Sequence, residues 1–221
     1  MLRSDLLNDI PGILHGFSLR GGTIETVAAD PRLADCRHAL TDQIHGAVVH
    51  RLDEAMPGVL LAGDAFVASR SHTICHVRTA DCVPILIAHC EGKAVAAVHA
   101  GWRGTVAGVA AAALRELASA YGIAAKDCVA AIGPRICGTC YEVGSEVVRG
   151  LAALGIGDAW RGGERHVDLG LANAVLLESA GILREKIELL PACTFCDDRF
   201  TSYRRDRSEA GRQVNWIVIR S

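Results

Sequence analysis

The apolar positions of the chain gather in short runs separated by glycine, proline and polar residues. Val95, Ala96, Ala97 and Val98 form one such run and predict a short buried strand. Gly101 and Gly104 just beyond it predict a loop, and the alanine-rich run over 106–121 predicts a helix. The same pattern places strands at 73–77, from Ala47 onward, at 128–132, at 186–190 and at 216–219, with a further apolar run, 59–62, leading into 63–68. Helical spacing returns over 143–154 and over 169–180. The second of these opens after Asp168, a residue suited to capping, and stops at Gly181. Residues 10–37 are rich in turn formers, Pro11-Gly12 and Gly21-Gly22 among them, and predict a loop with one strand lying over the core. Strands and helices alternate irregularly, and neither a dinucleotide-binding glycine fingerprint nor a P-loop is present. The expectation is therefore an α+β fold, a single domain over residues 1–221.

Composition sharpens this in two places. Half of the 221 residues are hydrophobic, which suits a buried core. The formal charge is −2, with lysine and arginine scattered, which argues against nucleic acid as the main partner and leaves small anionic substrates open. Residues 1–9 lack the apolar core of a signal peptide, and no unbroken apolar run approaches the ~18 residues of a membrane span. The reading is a cytoplasmic protein with no membrane partner and with reduced thiols. Nine cysteines is a high and odd count, and in a reducing compartment metal ligation explains some of them better than disulfides do.

The chemistry concentrates in 79–105, which carries Cys82 and His99 at the borders of apolar segments. His99 falls at a strand's carboxyl end with the first turn of a helix beyond it, where backbone N–H groups attract anions. Arg103 adds a cation able to grip phosphate or carboxylate with two hydrogen bonds. His45 precedes Gly46, where a turn can aim its ring inward. Each of these residues taken alone fits an ordinary core or surface position as well. His72, Cys75 and His76 suggest a second cluster, but along a strand His72 and His76 share one face and Cys75 takes the other. Two Cys-x-x-Cys pairs, Cys137/Cys140 and Cys193/Cys196, could together close a four-thiolate zinc site. Their separation is far longer than in a compact zinc ribbon, and the surroundings lack zinc-knuckle partners, so the spacing argues against that site. Neither pair has the context of a thioredoxin-like redox motif.

Laid out in order, the segments Gln43-Ile44-His45-Gly46, Gly63-Asp64-Ala65, Thr79-Ala80-Asp81-Cys82-Val83-Pro84, His99-Ala100-Gly101-Trp102-Arg103-Gly104, Ile132-Gly133-Pro134, Tyr141-Glu142-Val143-Gly144, Cys193-Thr194, Ser202-Tyr203-Arg204-Arg205 and Gly211-Arg212 resemble the YfiH family. This family is also called the polyphenol oxidase or laccase-domain family and is associated with purine nucleoside phosphorylase activity. The resemblance covers the chain from about residue 43 to its end. Upstream, Gly16-Phe17-Ser18 and Gly21-Gly22 match, while 23–42 is shorter than in family members, and Thr201 stands where an aromatic is common.

The resemblance implies mixed sheets flanked by helices and a metal site at His45, Cys82 and His99. Two imidazoles and a thiolate suit zinc and leave a fourth position open, the mark of a catalytic rather than a structural ion; a water held there ionises near pH 7. Copper takes the same donors, which would account for the oxidase label. The implied reactions are phosphorolysis of adenosine, inosine and methylthioadenosine, and hydrolytic deamination of adenosine, with a nucleoside and phosphate as small-molecule partners. Arg103 is the candidate for phosphate, and Asp81 and Glu142 compete as general acid or base. Alternatives are a cysteine hydrolase acting on an amide of peptidoglycan precursors through Cys82 and His99, a copper-dependent phenol oxidase, and a metal-binding scaffold without catalysis.

Overall fold

The computed structural model describes residues 1–52 and 60–220. The N-terminal part holds α1 (Asp5–Asn8), β1 (Ile13–Phe17), α2 (Ile24–Ala28) and four short strands, β2 (Arg37–His38), β3 (Leu40–Asp42), β4 (Val49–Arg51) and β5 (Leu60–Ala62). The centre is strand-rich: β6 (Ala65–Ala68), β7 (Thr73–Thr79), β8 (Val83–His89) and β9 (Val95–Ala100), then α3 (Trp102–Val106) and α4 (Val109–Tyr121). The chain continues through β10 (Cys128–Ile132), α5 (Ser145–Ala152), α6 (Leu169–Ser179), β11 (Ile187–Leu189), α7 (Tyr203–Asp206) and β12 (Gln213–Ile219).

Six strands form a mixed sheet in the order β11-β10-β8-β9-β6-β4, and a second sheet runs β1-β12-β7-β2, with β3 and β5 paired apart. The larger sheet is covered on both faces. Val83, Ile85 and Ile87 of β8 and Ala96, Val98 and Ala100 of β9 pack under α4 and α6, whereas Leu86, Ala88, Val95 and Ala97 meet the smaller sheet through Phe17, Val77 and Ile217. Burial on both faces is why these strands read as unbroken apolar runs instead of alternating ones. The smaller sheet buries its outer face, Ile74, Val214, Trp216 and Val218, against Val27 and Leu33. Each buried valine, leucine or isoleucine among them contributes about 1.5–3 kcal/mol, so the layers are held by their stacked faces more than by helix propensity. The fold is α+β, as the pattern predicts, with the mixed sheets and flanking helices that the resemblance implies.

Local departures have identifiable causes. The loop expected around Gly101 and Gly104 is instead the start of a helix: α3 opens at Trp102, and Gly108, at φ 76°, separates it from α4. Gly104 reads as a breaker, yet a Cβ there would lie 2.9 Å from the Gly46 carbonyl oxygen, so the residue is small because two segments touch. Segment 10–37 carries β1 as expected and α2 besides, begun by a reciprocal capping pair between Thr23 and Thr26. Asp168 caps α6 as predicted, its side chain accepting from the Leu171 N–H. His72 lies outside β7 and bonds to Asp35 and the Arg220 carbonyl, while His76 bonds to the Ala39 carbonyl, so these two do not form a cluster with Cys75. Val59, which begins the 59–62 run, lies outside the described residues. Among the described residues no helix is long and apolar enough to cross a membrane.

Candidate active site

His45, Cys82 and His99 come from three places in the chain and meet. One ligand atom from each lies within 4.8 Å of the others, and the two imidazole rings stand edge to face with centroids 4.8 Å apart. His99 is the penultimate residue of β9, and Cys82 lies just before β8, its neighbour in the sheet, so strand pairing sets their separation. His45 sits on the turn before β4 with φ 59°, a left-handed conformation that histidine tolerates better than bulkier or β-branched residues. Gly101 leaves the room they need: a Cβ at this position would approach His45 Cδ2 to 3.1 Å and Cys82 Sγ to 3.2 Å.

Asp64, wholly buried before β6, holds the arrangement together. Its Oδ1 accepts from the His45 N–H at 2.9 Å and from His99 Nδ1 at 2.8 Å, and its Oδ2 accepts from the Gly46 N–H at 2.7 Å. With Nδ1 committed to the carboxylate, His99 turns Nε2 toward Cys82. Burial alone would push the Cys82 thiol up, but hydrogen bonds from His45 and His99 bring it down to about 6. Burial alone would likewise lower His99, and Asp64 and Cys82 instead raise it to about 9. A soft sulfur donor and two ring nitrogens, one oriented by a buried carboxylate, fit zinc and copper alike.

All three residues line a cavity of about 780 Å³. Its walls also carry Tyr141, Tyr203, Leu169 and four arginines, Arg78, Arg204, Arg207 and Arg212, none of them ion-paired among the described residues. Arg204 lies over the Tyr141 ring at 5.3 Å and Arg212 over the Tyr203 ring at 5.9 Å, so aromatic faces hold the guanidinium groups while their charge stays available. Burial pushes the Tyr141 phenol up to about 12, so it keeps its proton at neutral pH.

Arg103 is placed differently from the expectation. It is exposed, lies over the Trp102 ring at 4.4 Å and is not on the cavity wall. Asp81 does line the cavity, but both of its carboxylate oxygens are engaged: Oδ1 accepts from Thr194 Oγ1 and Oδ2 from the Arg204 N–H, both at 2.6 Å. Glu142 is exposed and faces Arg165 at 3.5 Å. Asp64 and the four arginines are what residue-by-residue reading missed. Asp64, Arg204 and Arg212 fall within Gly63-Asp64-Ala65, Ser202-Tyr203-Arg204-Arg205 and Gly211-Arg212, motifs without an evident chemistry of their own, and Arg78 and Arg207 fall in no motif at all. The two cysteine pairs also meet, against the expectation from their spacing: Cys137, Cys140, Cys193 and Cys196 place their sulfurs within 4.8 Å of one another.

With this geometry in hand, a profile for the multi-copper polyphenol oxidoreductase laccase family matches residues 23–220. The chain belongs to this family. Among laccase-domain relatives, a purine nucleoside phosphorylase of Deinococcus radiodurans is 38% identical over 185 residues, covering 82% of this chain and 69% of that protein. A protein named adenosine deaminase RL5, from an unknown prokaryotic organism, is 36% identical over 190 residues, covering 82% of this chain and 71% of its own. The crystal structure of a Bacillus licheniformis hypothetical protein YfiH superposes with a TM-score of 0.84 at 27% identity, covering 94% of this chain and 93% of that one. The YfiH-like resemblance of the motifs and the α+β fold of the family therefore agree.

Proposed function

We propose that this chain is a metal-dependent purine nucleoside phosphorylase acting on adenosine, inosine and methylthioadenosine, with a second activity as an adenosine deaminase. The supporting observation is that two imidazoles and one thiol share a cavity of about 780 Å³ with four guanidinium groups that have no carboxylate partner among the described residues. A cavity of that size suits a nucleoside together with an anion. His45, Cys82 and His99 would hold zinc, or copper in its place, and the ion supplies Lewis acidity when bound.

The remaining work belongs to the protein's own groups. Arg78, Arg204, Arg207 and Arg212 grip phosphate, a role that passes to them from exposed Arg103. Tyr141 and Tyr203 offer ring faces to the purine. In phosphorolysis a phosphate oxygen bonds to C1′ as the C1′–N9 bond breaks. The electron pair leaves with the base, and the proton lost by phosphate ends on it, with the Tyr141 hydroxyl on the cavity wall as the donor that would relay it. In deamination water adds at C6 and ammonia leaves. Asp81 is spent on Thr194 and Arg204 and serves to hold Cys82's neighbourhood, not to move protons. The test is product analysis of zinc-loaded protein with adenosine. Adenine and ribose 1-phosphate should form only with phosphate present, and inosine should accumulate without it and pass on to hypoxanthine with it; no turnover under either condition would leave a metal-binding scaffold.

One observation favours a second reading. Cys82, His99 and Asp64 are linked in series as nucleophile, base and orienting carboxylate, the arrangement of a cysteine hydrolase acting on an amide, such as one in a peptidoglycan precursor. Metal content separates the two: a hydrolase of this kind works metal-free and loses activity to iodoacetamide, whereas a bound ion shields the thiolate.

A further inference from the structure

We propose that Cys137, Cys140, Cys193 and Cys196 form a structural zinc site, separate from the cavity triad, that staples two loops of the cavity wall together. The argument begins with topology. β10 and β11 are parallel neighbours joined through α5 and α6, so the segments leaving their carboxyl ends must run side by side. Cys137 and Cys193 follow closely on those ends, and the pairing continues past them: Arg135 bridges Cys193 in the same parallel sense, and the Thr194 N–H donates to the Arg135 carbonyl at 2.9 Å. The long separation in sequence is thus closed by the sheet, and each loop adds a second sulfur one short turn later.

The geometry fits a tetrathiolate. Four sulfurs at about 2.3 Å from a zinc ion stand about 3.8 Å apart at the corners of a tetrahedron. Here the four lie within 4.8 Å of one another, and Cys140 and Cys196 approach to 3.3 Å, well beyond the ~2.05 Å of a disulfide bond. The Cys137 N–H donates to Cys193 Sγ at 3.3 Å, the kind of backbone bond that stabilises a ligating thiolate. Binding releases the four thiol protons to solvent and leaves a dianionic centre.

The two loops have reason to need a clamp. The second has no helix or strand from Pro191 to Thr201, and Phe195, Cys196, Asp198 and Arg199 are exposed. Both loops hold Asp81, the residue before Cys82: the Ile136 N–H donates to its carbonyl at 3.1 Å and Thr194 Oγ1 to its carboxylate at 2.6 Å. Ile136 and Tyr141 belong to the cavity wall. A zinc ion between the loops therefore fixes one side of the cavity without touching it.

Metal content of the full chain produced with zinc supplied tests this. The expectation is two zinc ions per chain, falling to one in Cys140→Ser/Cys196→Ser and to one in His45→Ala/His99→Ala. Loss of an ion from the cysteine variant alone upholds the staple and sinks the triad as a metal site, so the two readings fail independently. Cobalt substitution of the parent protein guards against a variant that does not fold. A sulfur-to-cobalt charge-transfer band of tetrathiolate intensity should appear and should survive in His45→Ala/His99→Ala. Zinc content unchanged by the cysteine substitutions, no such band, or an isolated protein lighter by two hydrogens per bridge, as disulfides require, would overturn the proposal.

Discussion

Replacing Asp64 with asparagine isolates the contribution of one buried carboxylate to the site. Its two oxygens receive three N–H donors, from His45, Gly46 and His99, at 2.7–2.9 Å. Asparagine keeps the shape but has a single acceptor. The best placement puts the amide oxygen at the Oδ1 position, preserving the bonds to His45 and His99, and turns the NH₂ group onto the Gly46 N–H. One buried donor is then left facing another donor, at a cost of about 1–3 kcal/mol, and the two surviving bonds lose their charge assistance, about another 1 kcal/mol together. A total near 3 kcal/mol lowers the Tm of a chain of this length by roughly 6–12 °C.

The same change acts on the triad. With a neutral partner, His99 loses the pull that keeps a proton on Nδ1 and so leaves Nε2 as the nitrogen turned to the Cys82 side. Loss of such an orienting group weakens metal binding about 10- to 100-fold. Differential scanning of the metal-free protein reads the first effect and chelator competition at 25 °C reads the second. A variant whose metal affinity stays within about twofold of the parent, whatever its Tm, would refute the orienting role of Asp64.

Gly101→Ala should weaken metal binding about tenfold or more with a modest loss of Tm, because the new methyl group presses on His45 and Cys82 at 3.1 and 3.2 Å and alanine is a poorer N-cap for α3 than glycine; chelator competition checks it. Arg204→Gln should raise the KM for phosphate about tenfold or more, a loss of about 1.5 kcal/mol, and leave adenosine deamination within about twofold, whereas Arg103→Ala should leave both unchanged. Stability should fall with acid in a particular window. Burial holds His15 and His76 down at about 4, against an unfolded value near 6.5, so between those limits the unfolded chain binds protons that the folded one refuses. Stability is full above pH 6.5 and declines by about 2 kcal/mol per ring between pH 7 and pH 5, which urea titrations at the two pH values measure; His76→Gln should remove about half of that decline.

Much of the scaffold could be read from the chain because its central strands are buried on both faces. Val95 to Val98 and Cys128 to Ile132 are apolar without interruption, and glycine or proline marks where they end. α6 was legible for a different reason: its cap at Asp168 and its stop at Gly181 are local devices that work on backbone groups within a turn. Among the two- and three-residue strands, β4 and β5 fall on the apolar runs from Ala47 onward and at 59–62, while β2 and β3 carry no such signal. The backbone pairing of these short strands is supplied by partners elsewhere, as β3 by β5 and β4 by β6.

The candidate site divides along the same line. Motif resemblance named His45, Cys82 and His99 together, but nothing in their flanking residues shows that the turn at His45 closes on Asp64. Arg103 looked like the anion-binding group because it follows His99 in the chain, yet the direction of α3 and the Trp102 ring take it off the cavity wall, and the available cations arrive from β7 and from the segment around α7. Sequence distance misled most at the cysteines. A gap too long for a zinc ribbon is irrelevant once two parallel strands lie side by side, since the crossover, however long, starts the second strand at the opposite end of the sheet and that strand then leaves at the same end as the first. Paired Cys-x-x-Cys motifs following two strands of a predicted parallel unit should therefore be weighed by the position of each pair relative to its own strand end, not by the number of residues between the pairs.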